Sequence, residues 1–174
     1  MKRMCKGFTL LELLVVIGVM GILSSLAMVG GQEATNAARA TNIADGLEKA
    51  ASAMMMYYSD NADKINDEGA EAAAITTGAN AYLKTKLADS AANGKYYVVL
   101  SSATKAANAK WYVAYQFLAT DDALKAMIAN KATRMQLFDA SSVTGTAAVY
   151  ALTTTGSGES AVTKYPDAVA MLVR

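Results

Sequence analysis

Phe8 to Val29 is a run of 22 residues with a single charge, on Glu12. As a helix with a 1.5 Å rise per residue it would reach about 33 Å, enough to cross a hydrocarbon core of about 30 Å. Lys2, Arg3 and Lys6 precede the run, and no positive charge follows it until Arg39. The positive-inside rule therefore places the N-terminus in the cytoplasm and the remainder outside.

Two processing readings fit such a segment. One is a secretory signal peptide, with Ser25-Leu26-Ala27 as a small-x-small cleavage site. The other is a retained anchor, favoured by the length of the run and by the charge inside it. An acid at the centre of a membrane helix costs about 2.5–3.5 kcal/mol, so Glu12 calls for a use. It lies near one end of the run, where a carboxylate can snorkel to the interface. A cut between Gly7 and Phe8 would offer a different use. It would create an α-amino group four residues before Glu12. That cation, in the same chain or in a neighbour, would neutralise the carboxylate inside lipid and fix the axial register of packed helices.

The helical pattern continues past the membrane run. Gly30 and Gly31 interrupt it as a soft point, since glycine costs about 1 kcal/mol against alanine in a helix interior. Ile43, Leu47, Ala50, Met54 and Tyr57 or Tyr58 then recur at helical spacing between charged residues. The spacing predicts one helix of about 50 residues, ended by Ser59-Asp60-Asn61. A polar connection runs to about Gly78, and a short helix is expected from Asn80 to Ser90. AANGKYYVVL at 91–100 is echoed by AANAKWYVAY at 106–115, which predicts adjacent antiparallel strands at 96–100 and 111–118. A capped helix from Thr120 to Leu137 would turn Leu124, Met127, Ile128 and Met135 inward. Strands are expected at 147–153 and 168–174, separated by a Gly-Ser-Gly loop and Pro166. The fold class is α+β, with an antiparallel sheet packed on the amphipathic half of the long helix.

Composition removes several chemistries. The 174 residues include no histidine and one cysteine, Cys5. General bases, metal ligands and nucleophile pairs that need histidine are absent, as are intrachain disulfides and thiolate zinc sites. A net charge of +1 gives no field that points to nucleic acid. Ser102-Ala-Thr-Lys105 and Ser59-Asp60-Asn61 resemble parts of the penicillin-binding signature. They occur in reversed order, without a Lys-Thr-Gly element, and read as coincidence. Asp60, Asp63, Asp67, Glu68 and Glu71 crowd one loop, but the spacing is not that of an EF-hand, so a solvated acidic loop is the default. Tyrosines and Trp111 at strand spacing read as core and cross-strand pairs. No catalytic residue, metal ligand or cofactor site is expected.

Lys6-Gly7-Phe8-Thr9-Leu10-Leu11-Glu12-Leu13 resembles the prepilin processing motif of type IV pilins and type II secretion pseudopilins. The resemblance implies a leader at 1–7, a filament-core helix at 8–30, its amphipathic continuation at 31–60 and a globular head at 61–174. It implies cleavage between Gly7 and Phe8 by a prepilin peptidase, N-methylation of Phe8, and subunit recognition through Glu12. Gly18 and Gly21 fit a packed helical core. Gly30 and Gly31 stand where many pilins carry a proline, and would supply helix flexibility there. Many pilins also close a C-terminal loop with a disulfide. Here Cys5 lies in the leader, so packing or strand pairing alone is expected to hold the C-terminal region. Loss of Lys2, Arg3 and Lys6 leaves 13 basic side chains against 15 acidic, so the basic head serves orientation and peptidase recognition.

The implied function is a structural subunit of a type IV-like pilus, without catalysis and without a cofactor. Its partners would be further copies of itself, other pilins, the peptidase and an inner-membrane assembly platform. It would wait in the bacterial inner membrane as a single-pass precursor and end in an extracellular filament. The alternatives are a secretion pseudopilin, a single-span anchored binding domain, and a secreted enzyme released after Ala27.

Overall fold

A computed structural model describes residues 8–63, 65, 71–101, 109–143, 148–155 and 162–174. Helix α1, Leu10–Asp60, is 51 residues long, which corresponds to about 76 Å. It runs unbroken through Gly30 and Gly31. Asn61 ends it: its backbone N–H reaches the carbonyls of Tyr57 and Tyr58, and its side-chain amide donates to Tyr57 at 2.9 Å. Two of the last helical carbonyls are satisfied in this way.

The two halves of α1 have different surroundings. From Phe8 to Met28 every side chain is exposed. From Ala40 onward a buried stripe appears at helical spacing: Ala40, Ile43, Leu47, Ala50 and Met54. Tyr57 and Tyr58 are half-buried at the end of the stripe. The Tyr58 ring stands edge-on to Trp111 at 5.4 Å, and the Arg174 guanidinium lies 4.0 Å above it.

The head packs on this stripe. Strands β1 (Tyr96–Leu100), β2 (Trp111–Gln116), β3 (Leu137–Asp139) and β6 (Ala168–Leu172) form an antiparallel sheet in the order β1-β2-β6-β3. A separate hairpin pairs β4 (Thr153–Thr155) with β5 (Val162–Lys164). Gly94, at φ 71°, makes the turn into β1, a conformation that a side chain would strain. Helix α2 (Ala72–Ala79) crosses α1, and helix α3 (Asp122–Met135) packs between α1 and β3. One face of the sheet joins α1 and α3 in a core around Trp111, Val113, Phe117, Ile128 and Val169. The opposite face carries a smaller cluster around Tyr112, Ala114, Val143 and Ala170. The architecture is α+β, as expected, and the paired strands at 96–100 and 111–116 match the sequence echo.

Several local expectations are corrected. The helix expected over 80–90 does not form. Asn80 instead closes a loop: its side-chain oxygen accepts from the Leu87 N–H at 2.6 Å and its amide donates to the Leu87 carbonyl at 3.3 Å. The helix lies just before, at Ala72–Ala79, where a polar connection was expected. Burial of Ile75, Thr76 and Ala79 outweighs the weak helix propensity of its two threonines and Gly78. Helix α3 starts two residues after Thr120, and its N-cap Asp121 makes no side-chain capping bond. It stops at Met135 because Gln136 adopts a left-handed conformation at φ 51°, so Leu137 begins a strand instead of ending a helix. Its inward face includes Leu124 and Ile128, and also Lys125, which no periodicity argument selects. The strand expected at 147–153 is reduced, among the described residues, to a single bridge of Val149 to Phe138. Pairing shifts to the β-branched Thr153–Thr155, which finds β5 as a partner. The last strand ends at Leu172.

The C-terminal region is held by more than packing and strand pairing. Lys125 Nζ is fully buried and donates to Asp167 Oδ1 at 2.7 Å, tying the entrance of β6 to α3.

Candidate functional site

The candidate site is the first turn of α1 and the apolar stem that follows. Thr9, at φ −77° and ψ 150°, caps the helix. Its backbone N–H and its hydroxyl both donate to Glu12 Oε2, at 2.8 and 2.9 Å. The Glu12 N–H donates back to Thr9 Oγ1 at 3.2 Å. This reciprocal capping box satisfies amide donors at the helix start that have no partner within the helix. The carboxylate also lies at the positive end of the helix dipole. Glu12 therefore has a role within its own chain, besides any partner amine. The signal was present in the sequence as Thr9-Leu-Leu-Glu12, a Thr-x-x-Glu spacing ahead of an apolar run.

Phe8 precedes this turn and is 85% exposed. Gly7, the other residue of the expected cleavage site, lies outside the described residues together with the rest of 1–7, Cys5 included. After Glu12 the stem exposes Leu13, Leu14, Val15, Val16, Ile17, Val19, Met20, Ile22, Leu23, Leu26 and Met28. By length and composition α1 is the one helix among the described residues able to cross a membrane, and none of its most apolar window is buried by this chain. Apart from the backbone of the helix itself, nothing in the chain lies within 4 Å of where a Cβ on Gly18, Gly21, Gly30 or Gly31 would sit. The helix surface at these four positions is open to close approach by another backbone.

The profile of the prokaryotic N-terminal methylation motif matches residues 2–28. This is a prepilin-type N-terminus. It is the motif of type IV pilins and pseudopilins, and the matched segment is the stem whose geometry is given above. Comparison with curated proteins and with solved structures gave no match. The long apolar helix and antiparallel sheet agree with a pilin-like fold. The motif and the exposed apolar helix together fit a precursor held in the inner membrane.

The head has shallow cavities. A cavity of about 460 Å³ and another of about 440 Å³ lie side by side between α1 and the loop 82–87, sharing Asp45, Lys49, Leu83 and Lys84. A third, of about 390 Å³, lies on the far face of the sheet beside Tyr97, Asp139 and Asp167. Its polar groups already serve the fold. Asp139 Oδ1 accepts from the Ser141 N–H and hydroxyl, and Gln116 donates to the Asp167 carbonyl. No group of three or more acidic or cysteine side chains able to hold a metal occurs among the described residues. Of the acidic loop, Asp60 accepts a hydrogen bond from the Tyr82 hydroxyl, while Asp67 and Glu68 lie outside the described residues. Ser102 and Lys105 also lie outside them, and Ser59-Asp60-Asn61 forms the end of α1.

Proposed function

We propose that the chain is a structural subunit of a type IV-like pilus, made as a membrane precursor, cleaved between Gly7 and Phe8, N-methylated on Phe8 and polymerised through its stem. The observation that carries this reading is the prepilin-type stem, exposed from Phe8 to Met28 and continuous with the helix that anchors the head. Each large apolar side chain removed from water contributes about 1.5–3 kcal/mol. Lipid can cover the stem of the precursor and neighbouring stems can cover it in a filament. Such a transfer exchanges one apolar environment for another, so close backbone approach at the glycines and polar pairing set the preference.

Glu12 supplies the polar term. Cleavage before Phe8 creates an amine, and the Glu12 carboxylate of a neighbour neutralises it away from water. Two charges in a dry stem attract strongly only when paired, which fixes axial register between subunits. The subunit itself catalyses nothing, and its partners are further pilins, the prepilin peptidase and the assembly platform. A type II secretion pseudopilus would use the same stem in the same way, so the second reading differs in the machine served and not in the subunit.

N-terminal sequencing and mass spectrometry of the mature protein test the proposal. N-methyl-Phe8 is the expected terminus. An intact Met1 would leave an uncleaved anchor, and a terminus at Met28 would mean release after Ala27; either result would overturn the reading.

A further inference from the structure

Pro166 and Asp167 form a corner on which several elements converge. The Tyr150 hydroxyl donates to the Pro166 carbonyl at 2.8 Å. The Asp167 carbonyl accepts from the Phe117 N–H at 2.8 Å and from the Gln116 side chain at 3.0 Å. The Asp167 carboxylate accepts from Lys125, whose ammonium also donates to the Ala119 carbonyl at 3.2 Å. This corner is where the arm between β3 and β6, which carries the β4–β5 hairpin, rejoins the sheet.

The two charges at the corner are not equivalent. The Lys125 side chain is 0% exposed, whereas that of Asp167 is 41% exposed. Asp167 can turn to water if its partner is lost. Lys125 cannot, and Asp122, at 3.6 Å with a 74% exposed side chain, is a poor substitute. A buried ammonium left without its counter-charge is strongly destabilising, while a neutral apolar side chain of similar volume in its place is often tolerated.

We propose that Lys125 and Asp167 form an acid-releasable clasp that closes the β4–β5 arm onto the head. The groups facing it are Asp122 from α3, Lys164 from β5 at 4.0 Å and the phenol of Tyr150 from the arm, while Asp139 of β3 lines the same cavity as Asp167. Burial pushes the Tyr150 hydroxyl well above the usual phenol range, so it stays a neutral donor throughout. The hydrogen bond from Lys125 holds the Asp167 carboxyl below the usual carboxylate range, with the charges of Lys125 and Lys164 adding to the effect. A carboxylate depressed in the folded state stabilises above its unfolded pKa, and the contribution is lost as pH falls through its folded value. The clasp is therefore closed at neutral pH and loosens as pH falls below the usual carboxylate range and through the depressed value of Asp167. No thiol is involved, so reductants leave it closed.

Amide hydrogen exchange of the arm, in the full chain in detergent and corrected for intrinsic rates, tests this. Asp167→Asn should speed exchange at 148–155 by at least roughly tenfold at neutral pH, and Lys125→Met should do so much less. The Lys125→Met/Asp167→Asn double variant should return to the Lys125→Met level. Acidification should open the arm of the wild type but add little in Lys125→Met. If Asp167→Asn fails to fold while the double variant folds, the asymmetry is shown in stronger form. Equal effects of the two single variants, or acid opening of Lys125→Met as large as that of the wild type, would overturn the clasp. The acid comparison needs neither Asp167 variant to fold.

Discussion

Tyr96 fills the notch left by Gly46: a Cβ on residue 46 would lie 2.0 Å from the Tyr96 hydroxyl oxygen and 2.3 Å from the ring carbon that bears it. The same hydroxyl donates to the carbonyls of Asn42 and Ile43, both at 3.3 Å. Strand β1 is thereby set against α1 at one point of the helix. Gly46→Ala gains about 1 kcal/mol of helix propensity but forces a rigid ring out of its place, an overpacking cost of about 1–3 kcal/mol. The head should melt at a lower temperature. Gly78→Ala should act likewise, because its Cβ would lie 2.0 Å from the Tyr57 ring. Thermal unfolding of the full chain in detergent measures both, and an unchanged melting temperature would mean that the rings step aside without loss.

Gly30 and Gly31 predict the opposite sign. Nothing beyond the helix's own backbone lies within 4 Å of a Cβ at either position, so alanine there brings only its helix propensity, about 1 kcal/mol per site. Gly30→Ala and Gly31→Ala should slow amide exchange in the adjoining turns of α1 and leave the head's melting temperature alone. If exchange there is as slow in the wild type as in the variants, the glycine pair is not the soft point of the helix.

Glu12 has two separable roles, capping and charge. Glu12→Gln keeps a side chain that can complete a capping box with Thr9 but removes the charge, whereas Glu12→Ala removes both. Both variants should still be cleaved before Phe8. If the partner amine is what matters, both should fail to enter filaments. Filaments from Glu12→Gln at the wild-type level, with none from Glu12→Ala, would instead assign assembly to the helix cap.

Alkaline titration reads the α1–β1 contact directly. Burial, reinforced by Tyr115 and Asp45, pushes the Tyr96 phenol up to about 12. An acid whose folded pKa is raised favours the fold fully below its unfolded value, near 10, and that contribution is lost as pH rises towards 12. Phenolate absorbance should lose a late-titrating component in Tyr96→Phe, while that of the more deeply shifted Tyr150 remains. Head stability should fall over the same interval in the wild type and less in that variant. A Tyr96 that titrates with the exposed tyrosines would contradict its packing against Gly46.

The stem was legible because its signals are local. The length of the apolar run, the Thr9–Glu12 spacing and the basic residues before it lie within one short segment, and the same is true of the buried stripe from Ala40 to Met54. The echo of Tyr96–Leu100 in Trp111–Tyr115 made one strand pair legible for the same reason, since each copy carries its own turn and its own β-branched run. Asn80 shows where local reading fails: it looks like a helix start and instead clasps Leu87 across a loop. Helix α2 forms through the burial of Ile75, Thr76 and Ala79, with Tyr57 of another helix seated on the bare backbone of Gly78.

The sequence by itself determined that this chain has an apolar helical stem long enough to cross a membrane, with a prepilin-type motif at its start, because spacing along the chain and transfer out of water suffice for that. Only the tertiary structure decided that Lys125 is buried, that Asp167 meets it 42 positions away, and that Gly46 and Gly78 receive rings. A buried charge is tolerable only beside its partner, and Gly46 and Gly78 are needed because another chain segment comes close. Both conditions depend on residues distant in sequence, which periodicity and propensity do not register.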